Sequence, residues 1–362
     1  MKRLSDVCTK GSSNIAQKDL DTRSGDYPIY GASGFIKNVD FYHQEKPYIA
    51  IVKDGAGVGR VMKLPAKSSV IGTMQYIIPN EDVSVDYLAY ALEHMNLSKY
   101  YLGAAIPHIY FKDYCSETLP NHTPEEQAHI SHVLGLVSNL IFLRKQQLSK
   151  LDQLVKSRFI EMFGTLSSNE HHYPMSALKD VCRKITDGKH GGCEQEADSG
   201  YYYVGAREIY DGEIHYDTAP QITKTDFEKD YRRCNLEQGD FVLVNTGATI
   251  GKSAIAKHPL TECTLLQKSV AMFKIKPEII SAVFLKYCYE ANPEMYTVES
   301  ASAQPNLLLS RINSTQIYLP PIECQQQFAA FVEQINKSKF EIQKSLEKLE
   351  TLKKALMQKY FG

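Results

Sequence analysis

The chain has 362 residues, 43% of them hydrophobic and 23% charged, with a formal net charge of -1. That length favours two units, each able to bury its own core. The near-neutral charge excludes a protein that coats nucleic acid by charge alone, because such binders neutralise many phosphates with Lys and Arg, and no apolar run approaches the ~20 residues of a membrane span. The polar start, Met1-Lys2-Arg3-Leu4-Ser5-Asp6, lacks the apolar core of a secretion signal, so a cytoplasmic location is expected. Cys8, Cys115, Cys182, Cys193, Cys234, Cys263, Cys288 and Cys324 form no CxxC pair and read as reduced, mostly buried thiols, with neither a disulfide framework nor a metal site expected.

In chain order, Leu4-Ser5-Asp6-Val7-Cys8 is the first landmark. The apolar run Tyr48-Ile49-Ala50-Ile51-Val52 reads as a strand leading into a glycine-rich hairpin turn, Gly55-Ala56-Gly57-Val58-Gly59-Arg60. A helical stretch follows around Val85 to Leu97, then Ala105-Ile106-Pro107-His108 and Leu119-Pro120. Short strand-like runs and one helix make residues 1 to 118 an α+β lobe. After it, Thr123-Pro124-Glu125-Glu126 supplies an N-cap, a proline at the first helical position and a capping-box glutamate. From this start Ile130, Val137, Leu151 and Arg158 recur every seven residues, with Arg144 between. Leu134, Ile141, Leu148, Val155 and Met162 recur on the adjoining stripe. The seam runs to Phe163-Gly164, where glycine can take the left-handed C-terminal conformation, and predicts a helix of about 40 residues, roughly 60 Å long.

The landmarks then return in the same order. Leu178-Lys179-Asp180-Val181-Cys182 answers the first, Phe241-Val242-Leu243-Val244 and Gly247-Ala248-Thr249-Ile250-Gly251-Lys252 answer the strand and turn, and Pro277 answers Pro79. A helical stretch spans Ile279 to Glu290, Ala303-Gln304-Pro305-Asn306 answers the proline segment, and Leu319-Pro320 answers Leu119-Pro120. The second copy carries about two dozen extra residues, mostly before its Gly-Ala turn. Phe328, Ile335, Ile342, Leu349 and Leu356 repeat the heptad period, ending in a second Phe-Gly, Phe361-Gly362. Two seams too long for one lobe to cover want each other, and antiparallel pairing is the economical geometry. Abundant tyrosines beside basic or amide residues, as in His108-Ile109-Tyr110-Phe111-Lys112 and Tyr201-Tyr202-Tyr203 with Arg207, suit phosphate and base contacts as well as ordinary half-buried sheets.

Several motifs imitate chemistry. Gly247 to Ser253 is one residue short of the GxxxxGK[ST] phosphate loop, and the turn ending Gly59-Arg60 has no Ser or Thr after its basic residue. Gly55-x-Gly-x-Gly59 lacks dinucleotide-fingerprint spacing, Asn292-Pro293-Glu294-Met295-Tyr296 does not match an amino-methyltransferase motif, and His171-His172 lies in the polar linker without the spacing of a catalytic or metal-binding set. No catalytic residue is assigned.

Taken together, these residues make the chain resemble the DNA specificity subunit of type I restriction-modification systems over essentially its whole length. The resemblance is carried by the two Gly-Ala-x-x-Gly hairpins, the Leu-Pro step before each helix, Gln127 and Gln325 near the helix starts, and the Phe-Gly ends. It implies an α+β fold with two target-recognition domains in pseudo-two-fold tandem repeat, residues 1–120 and 165–320, separated by long spacer helices, 121–164 and 321–362, that form an antiparallel coiled coil. Each lobe would read one half of a bipartite asymmetric site in double-stranded DNA, and unlike lobes would give unlike half-sites. The helices would dock DNA adenine methyltransferase subunits, two of them, in a complex that also holds restriction/translocase subunits. The chain itself would be non-catalytic and bind no cofactor, with S-adenosylmethionine and ATP on the partners. Turn position and side-chain type single out Lys53, Arg60, His108, Tyr110 and Lys112 as DNA contacts in the first lobe. Arg207, Asn245, Thr246, Lys252, Gln304, Asn306 and Arg311 are their counterparts in the second. Leu134, Ile141, Leu148, Val155, Ile335, Ile342, Leu349 and Leu356 are the expected coiled-coil and partner interface. The competing expectations are a coiled-coil structural adaptor that does not read DNA, and a nucleotide-dependent enzyme built on the Lys252 turn.

Overall fold

A computed structural model describes residues 1–103, 107–298 and 305–362. The chain divides into two compact units, Met1–Gln147 with Ile342–Gly362, and Leu148–Glu341. The longer helices are α1 (Val85–Met95), α2 (Pro124–Phe163), α3 (Lys224–Asp230), α4 (Ala282–Ala291) and α5 (Ile322–Phe361). Both α2 and α5 begin in one unit and end in the other.

The first unit contains β1 (Cys8–Ser12), β2 (Tyr27–Gly31), β3 (Gly34–Val39), β4 (Tyr48–Val52), β5 (Val61–Leu64), β6 (Ser69–Val70) and β7 (Met74–Pro79). An antiparallel sheet runs in the order β1-β7-β4-β5, and a second sheet, β3-β2-β6, includes a parallel β2–β6 pair. Every residue of β4 is buried, because this central strand is covered on both faces. Its alternation divides the interior: Ile49 and Ile51 join Ile77 and, from α1, Leu88 and Leu92, whereas Tyr48, Ala50 and Val52 join Val70, Met74 and Tyr76.

The second unit contains β8 (Cys182–Asp187), β9 (Tyr202–Val204), β10 (Ile209–Tyr210), β11 (Glu213–Ile214), β12 (Phe241–Val244), β13 (Ser253–Ile255), β14 (Thr264–Leu266) and β15 (Val270–Ile275). Its main sheet, β8-β15-β12-β13, has the connectivity of the first unit's, and the parallel β9–β14 pair matches β2–β6. The central strand β12 again divides two cores, Phe241 and Leu243 on one side and Val242 and Val244 on the other. Most of the extra residues fall between Gly205-Ala206 and β12, where the first unit has Gly31-Ala32 and then β3 before β4. They form the β10–β11 hairpin and α3. Asp211 and Gly212, with φ of 51° and 77°, supply the two left-handed positions that a two-residue hairpin requires.

The start of α2 is capped as its sequence predicts. Thr123 N–H donates to Glu126 Oε2 at 2.8 Å, and Glu126 N–H donates to Thr123 Oγ1 at 3.3 Å. One turn in, buried Gln127 fastens the helix to its own lobe: Oε1 accepts from Ser84 N–H at 2.9 Å, while Nε2 donates to the carbonyls of His122 at 3.0 Å and Asp82 at 3.3 Å. Gln325 repeats this on α5, accepting from Ser281 N–H at 2.9 Å and donating to Pro320 at 2.9 Å and Ile279 at 3.2 Å. Ser84 and Ser281 are themselves the N-caps of α1 and α4, so each glutamine joins two helix starts.

At their far ends the long helices enter the opposite copy's core. In the second unit Phe163 lies 5.1 Å from Phe284 and 5.6 Å from Phe328, and Gly164 takes φ 72°. In the first unit Phe361 lies 5.3 Å from Tyr87, which occupies on α1 the place of Phe284 on α4. Helix pairing within each unit is antiparallel. Ile130 and Leu134 share a core with Met357 and Phe361, with Lys145–Glu350 at 2.9 Å further along. Val155, Phe159 and Phe163 pack with Phe328 and Val332, with Lys339–Asp152 at 2.6 Å. The seam is wider than one heptad stripe. Leu134 and Val155 are buried, while Ile141, Leu148, Ile335, Ile342, Leu349 and Leu356 are half-buried, and on α5 the buried apolar positions are Phe328, Val332, Leu346, Met357 and Phe361.

Candidate nucleic-acid interface

In each unit four loop segments converge on one cluster through backbone hydrogen bonds that are the same in both copies. Gly55 N–H donates to Pro107 O at 2.9 Å and Ile109 N–H to Lys53 O at 2.9 Å. In the second unit Gly247 N–H donates to Pro305 O at 2.9 Å and Leu307 N–H to Asn245 O at 2.8 Å. The glycine-rich turn is thereby fixed to the proline segment. A third segment joins from the turn ahead of the last sheet strand: Lys53 N–H donates to Thr73 O at 2.9 Å, and Asn245 N–H to Ser269 O at 3.0 Å. The fourth is the Gly-Ala step after β2 or β9, reached by Ile71 N–H to Tyr30 O at 3.0 Å and Gln267 N–H to Val204 O at 2.8 Å.

The turns need their glycines. Gly55, Gly59, Gly247 and Gly251 have φ of 93°, 85°, 94° and 96°, a region that residues with a Cβ rarely enter. At Gly59 a Cβ would also lie 2.5 Å from Ser98 N, and at Gly251 2.3 Å from the Tyr296 ring.

On this shared frame the side chains differ. Lys53 pairs with Asp54 at 2.6 Å, and exposed Arg60 donates from Nη1 to Ala32 O at 2.9 Å, tying the glycine turn to the Gly-Ala step. His108 lies edge-on to Tyr110, 5.0 Å between ring centroids, and the Lys112 ammonium sits 5.3 Å over the Tyr110 ring. The five residues of the first lobe thus lie on the linked glycine turn and proline segment and on the short helix Phe111–Tyr114 that follows. In the second unit Asn245 occupies the place of Lys53, Thr246 that of Asp54, and Asn306 that of His108. Thr246 Oγ1 donates to Asn306 Oδ1 at 3.1 Å. Arg207, Lys252 and Asn306 are exposed, as is Arg311 on the short helix Leu309–Ser314. Asn245 is only 3% exposed, and its side-chain oxygen has no hydrogen-bond partner among the described residues. Gln304 lies outside the described residues.

Sequence reasoning missed the third segment, Ile71-Gly72-Thr73 and Gln267-Lys268-Ser269. It also missed the repeat Tyr27-Pro28-Ile29-Tyr30-Gly31-Ala32 against Tyr201-Tyr202-Tyr203-Val204-Gly205-Ala206, whose shared Gly-Ala was the available signal. The Leu-x-Asp-Val-Cys motif belongs to packing: burial pushes the Cys8 and Cys182 thiols up to about 12, leaving them protonated and unreactive. Among the described residues, no group of three His, Cys, Asp or Glu side chains is placed to hold a metal, and no helix is long and apolar enough to cross a membrane.

Two copies of one α+β frame, each presenting its own polar side chains from four fixed loops, define a modular recognition protein with two reading heads. The sequence matches the type I restriction modification DNA specificity domain twice, over residues 1–153 and 172–354, and the chain belongs to that family. It is 23% identical over 341 residues to a putative type I specificity subunit of Mycoplasma pneumoniae, covering 91% of this chain and 86% of that one. It is 22% identical over 303 residues to the MjaIX specificity subunit of Methanocaldococcus jannaschii, covering 78% and 69%. In fold it resembles the crystal structure of a type I restriction-modification S subunit from M. genitalium, with a TM-score of 0.62 at 15% identity over 100% of this chain and 95% of that one. It also resembles a chain from a study of assembly and conformational transition in the type I system, with a TM-score of 0.56 at 15% identity over 99% and 96%. Its role is DNA recognition in a type I restriction-modification system.

Proposed function

We propose that each unit reads one half of a bipartite, asymmetric DNA site through its four-loop cluster, and that the chain is a non-catalytic subunit. The observation that carries this is the repeated frame with exchanged side chains. Matching backbone hydrogen bonds, donated by Gly55 and Ile109 in one unit and by Gly247 and Leu307 in the other, flank Lys53, Asp54 and His108 in the first and Asn245, Thr246 and Asn306 in the second. A constant frame with variable polar tips is what direct readout needs, because base edges differ in their donor and acceptor patterns while the duplex backbone does not. The DNA contacts are then Lys53, Arg60, His108, Tyr110 and Lys112 for one half-site and Arg207, Thr246, Lys252, Asn306 and Arg311 for the other, while the buried Asn245 side chain supports the turn from beneath and reaches no base.

Methyl transfer from S-adenosylmethionine and ATP-driven cleavage belong on this reading to partner chains, two adenine methyltransferase subunits and the restriction/translocase subunits, acting with it in the cytoplasm. Shared phosphate neutralisation accounts for the net charge of -1. The methyltransferase docking surface is the outward face of the long helices. Leu136, Leu140 and Leu143, spaced by four and three residues on α2, are 53%, 45% and 44% exposed, a stripe that a lone helix in water would not favour. The test is genomic adenine methylation mapped with and without this gene in a host carrying the partner genes. One bipartite motif should vanish with the gene; an unchanged pattern overturns the reading.

A further inference from the structure

The third segment of the cluster differs between the units in one consequential position. Its backbone is fixed in both. Thr73 and Ser269 carbonyls accept from Lys53 and Asn245, Gly72 N–H donates to Ile15 O at 2.7 Å, and Lys268 N–H donates to Lys189 O at 2.9 Å. In the second unit the turn is held from further directions. Lys189 N–H donates to Leu266 O at 2.7 Å and Ala206 N–H to Ser269 Oγ at 3.3 Å. The Gln267 amide lies against Gly205, where a Cβ would come within 2.3 Å of it.

From this turn projects the exposed side chain of Lys268, which makes no ion pair or hydrogen bond among the described residues. Its neighbour Lys189 is spent differently: its side chain is 13% exposed and its ammonium is paired with Asp230 at 2.8 Å. The corresponding residue of the first unit is Gly72, which has no side chain. A phosphate contact serves both half-sites equally, since phosphates are the same everywhere along a duplex. A cation present on the frame in one unit and absent from the other is instead the mark of a contact that differs between half-sites, that is, of a base edge. Among base edges in the major groove, the acceptor pair O6 and N7 of guanine is the one that a lysine reads.

We propose that Lys268 is a specificity-determining residue that reads a guanine in the half-site of the second unit, and that Gly72 leaves the first unit without this contact. The inference rests on the reading of each unit as a half-site reader. The test uses the full complex with its methyltransferase partners and compares wild type, K268G, which restores the first unit's residue, and K268R. Methylated motifs are mapped across a genome, and binding is measured by titrating a duplex carrying the wild-type motif and duplexes substituted at each position of either half. For K268G, discrimination should fall roughly ten- to hundredfold at one guanine position of the second half-site, with the first half-site unchanged. K268R should retain guanine there. Equal weakening on every duplex, with a salt dependence shallower by about one phosphate, would mean a backbone contact and overturn the proposal, as would unchanged discrimination. Failure of the wild-type complex to show any bipartite motif would instead remove the half-site reading beneath it. Unchanged thermal unfolding and partner copurification of K268G identify the change as one of recognition.

Discussion

The two units share a frame and differ in how firmly each is closed. In the second, the end of α2 brings Phe159 and Phe163 into contact with Phe284 and Phe328, all of them fully buried. In the first, the end of α5 brings Phe361, 7% exposed, against Tyr87 and His94. The same Phe-Gly terminus therefore joins a cluster of four buried phenylalanines in one unit and meets a tyrosine and a histidine in the other. Duplication has kept the topology and allowed the packing to drift, because cores tolerate changes of side chain when volume and pattern are kept.

That contrast gives the largest expected effect. Phe163→Ala should destabilise the second unit by about 3–5 kcal/mol, the range for emptying a fully buried phenylalanine site. Phe361→Ala should cost the first unit less, because its ring already loses part of its burial to solvent. Hydrogen exchange resolved by unit is the appropriate measurement; equal losses of protection would show that the two closures are equivalent after all.

The buried glutamines come next. Truncating Gln325, 0% exposed, strands the Ser281 N–H and two carbonyls; truncating Gln127, 6% exposed, does the same to Ser84 and its neighbours. Each Gln→Ala should cost about 1–3 kcal/mol, with the larger loss at Gln325, where water has least access. Denaturant unfolding followed by a probe in each unit would detect it. A cost below about 0.5 kcal/mol at both sites would mean that water replaces the lost bonds.

How much of this was legible in the sequence follows from which atoms carry each feature. The capped helix starts, the two glycine turns and the order of landmarks are written in side-chain type, so they could be read directly. The third loop segment was not, because its place is set by the carbonyls of Thr73 and Ser269, and every residue has a carbonyl. Heptad spacing announced that α2 and α5 want partners without saying that Phe163 and Phe361 would enter the opposite copy's core, since periodicity defines a face and leaves its cover open. Gln127 and Gln325 stood out as repeated residues, but a polar residue near a helix start reads as solvated until the Ser84 and Ser281 caps are seen beside it. Asn245 was chosen as a polar tip at a turn, and its burial became visible only once the proline segment was seen to lie over its backbone.

The glycine turns offer a smaller and more graded comparison. Gly59→Ala sets a Cβ against the backbone of Ser98, which cannot swing aside, whereas Gly251→Ala meets the ring of Tyr296, which can. Gly55 and Gly247 have open space around them and would bear only the strain of their φ. The expected order of destabilisation is Gly59 first, Gly251 second, and Gly55 and Gly247 last at about 1 kcal/mol each. Parallel melting of the four alanine variants tests the order, and a Gly251 loss exceeding that at Gly59 would show the Tyr296 ring to be locked.

The smallest effect on stability should accompany the largest on assembly. Leu140 and Leu143 are close to half exposed and absent from both helix seams, so replacing both by Asp should change unfolding by no more than about 0.5 kcal/mol. A charged pair placed in an apolar docking surface cannot be desolvated without a partner charge, so the same variant should lose the methyltransferase subunits on copurification. Ile141→Asp, one residue along and half-buried between the long helices, should do the reverse in order of severity, weakening the fold of the first unit before it affects partner binding. If Leu140 and Leu143 both accept Asp with the partner still bound, the outward stripe is not the docking face. The half-buried seam itself would then have to open to the partner, which the coupling of stability and assembly in the Ile141 variant would reveal.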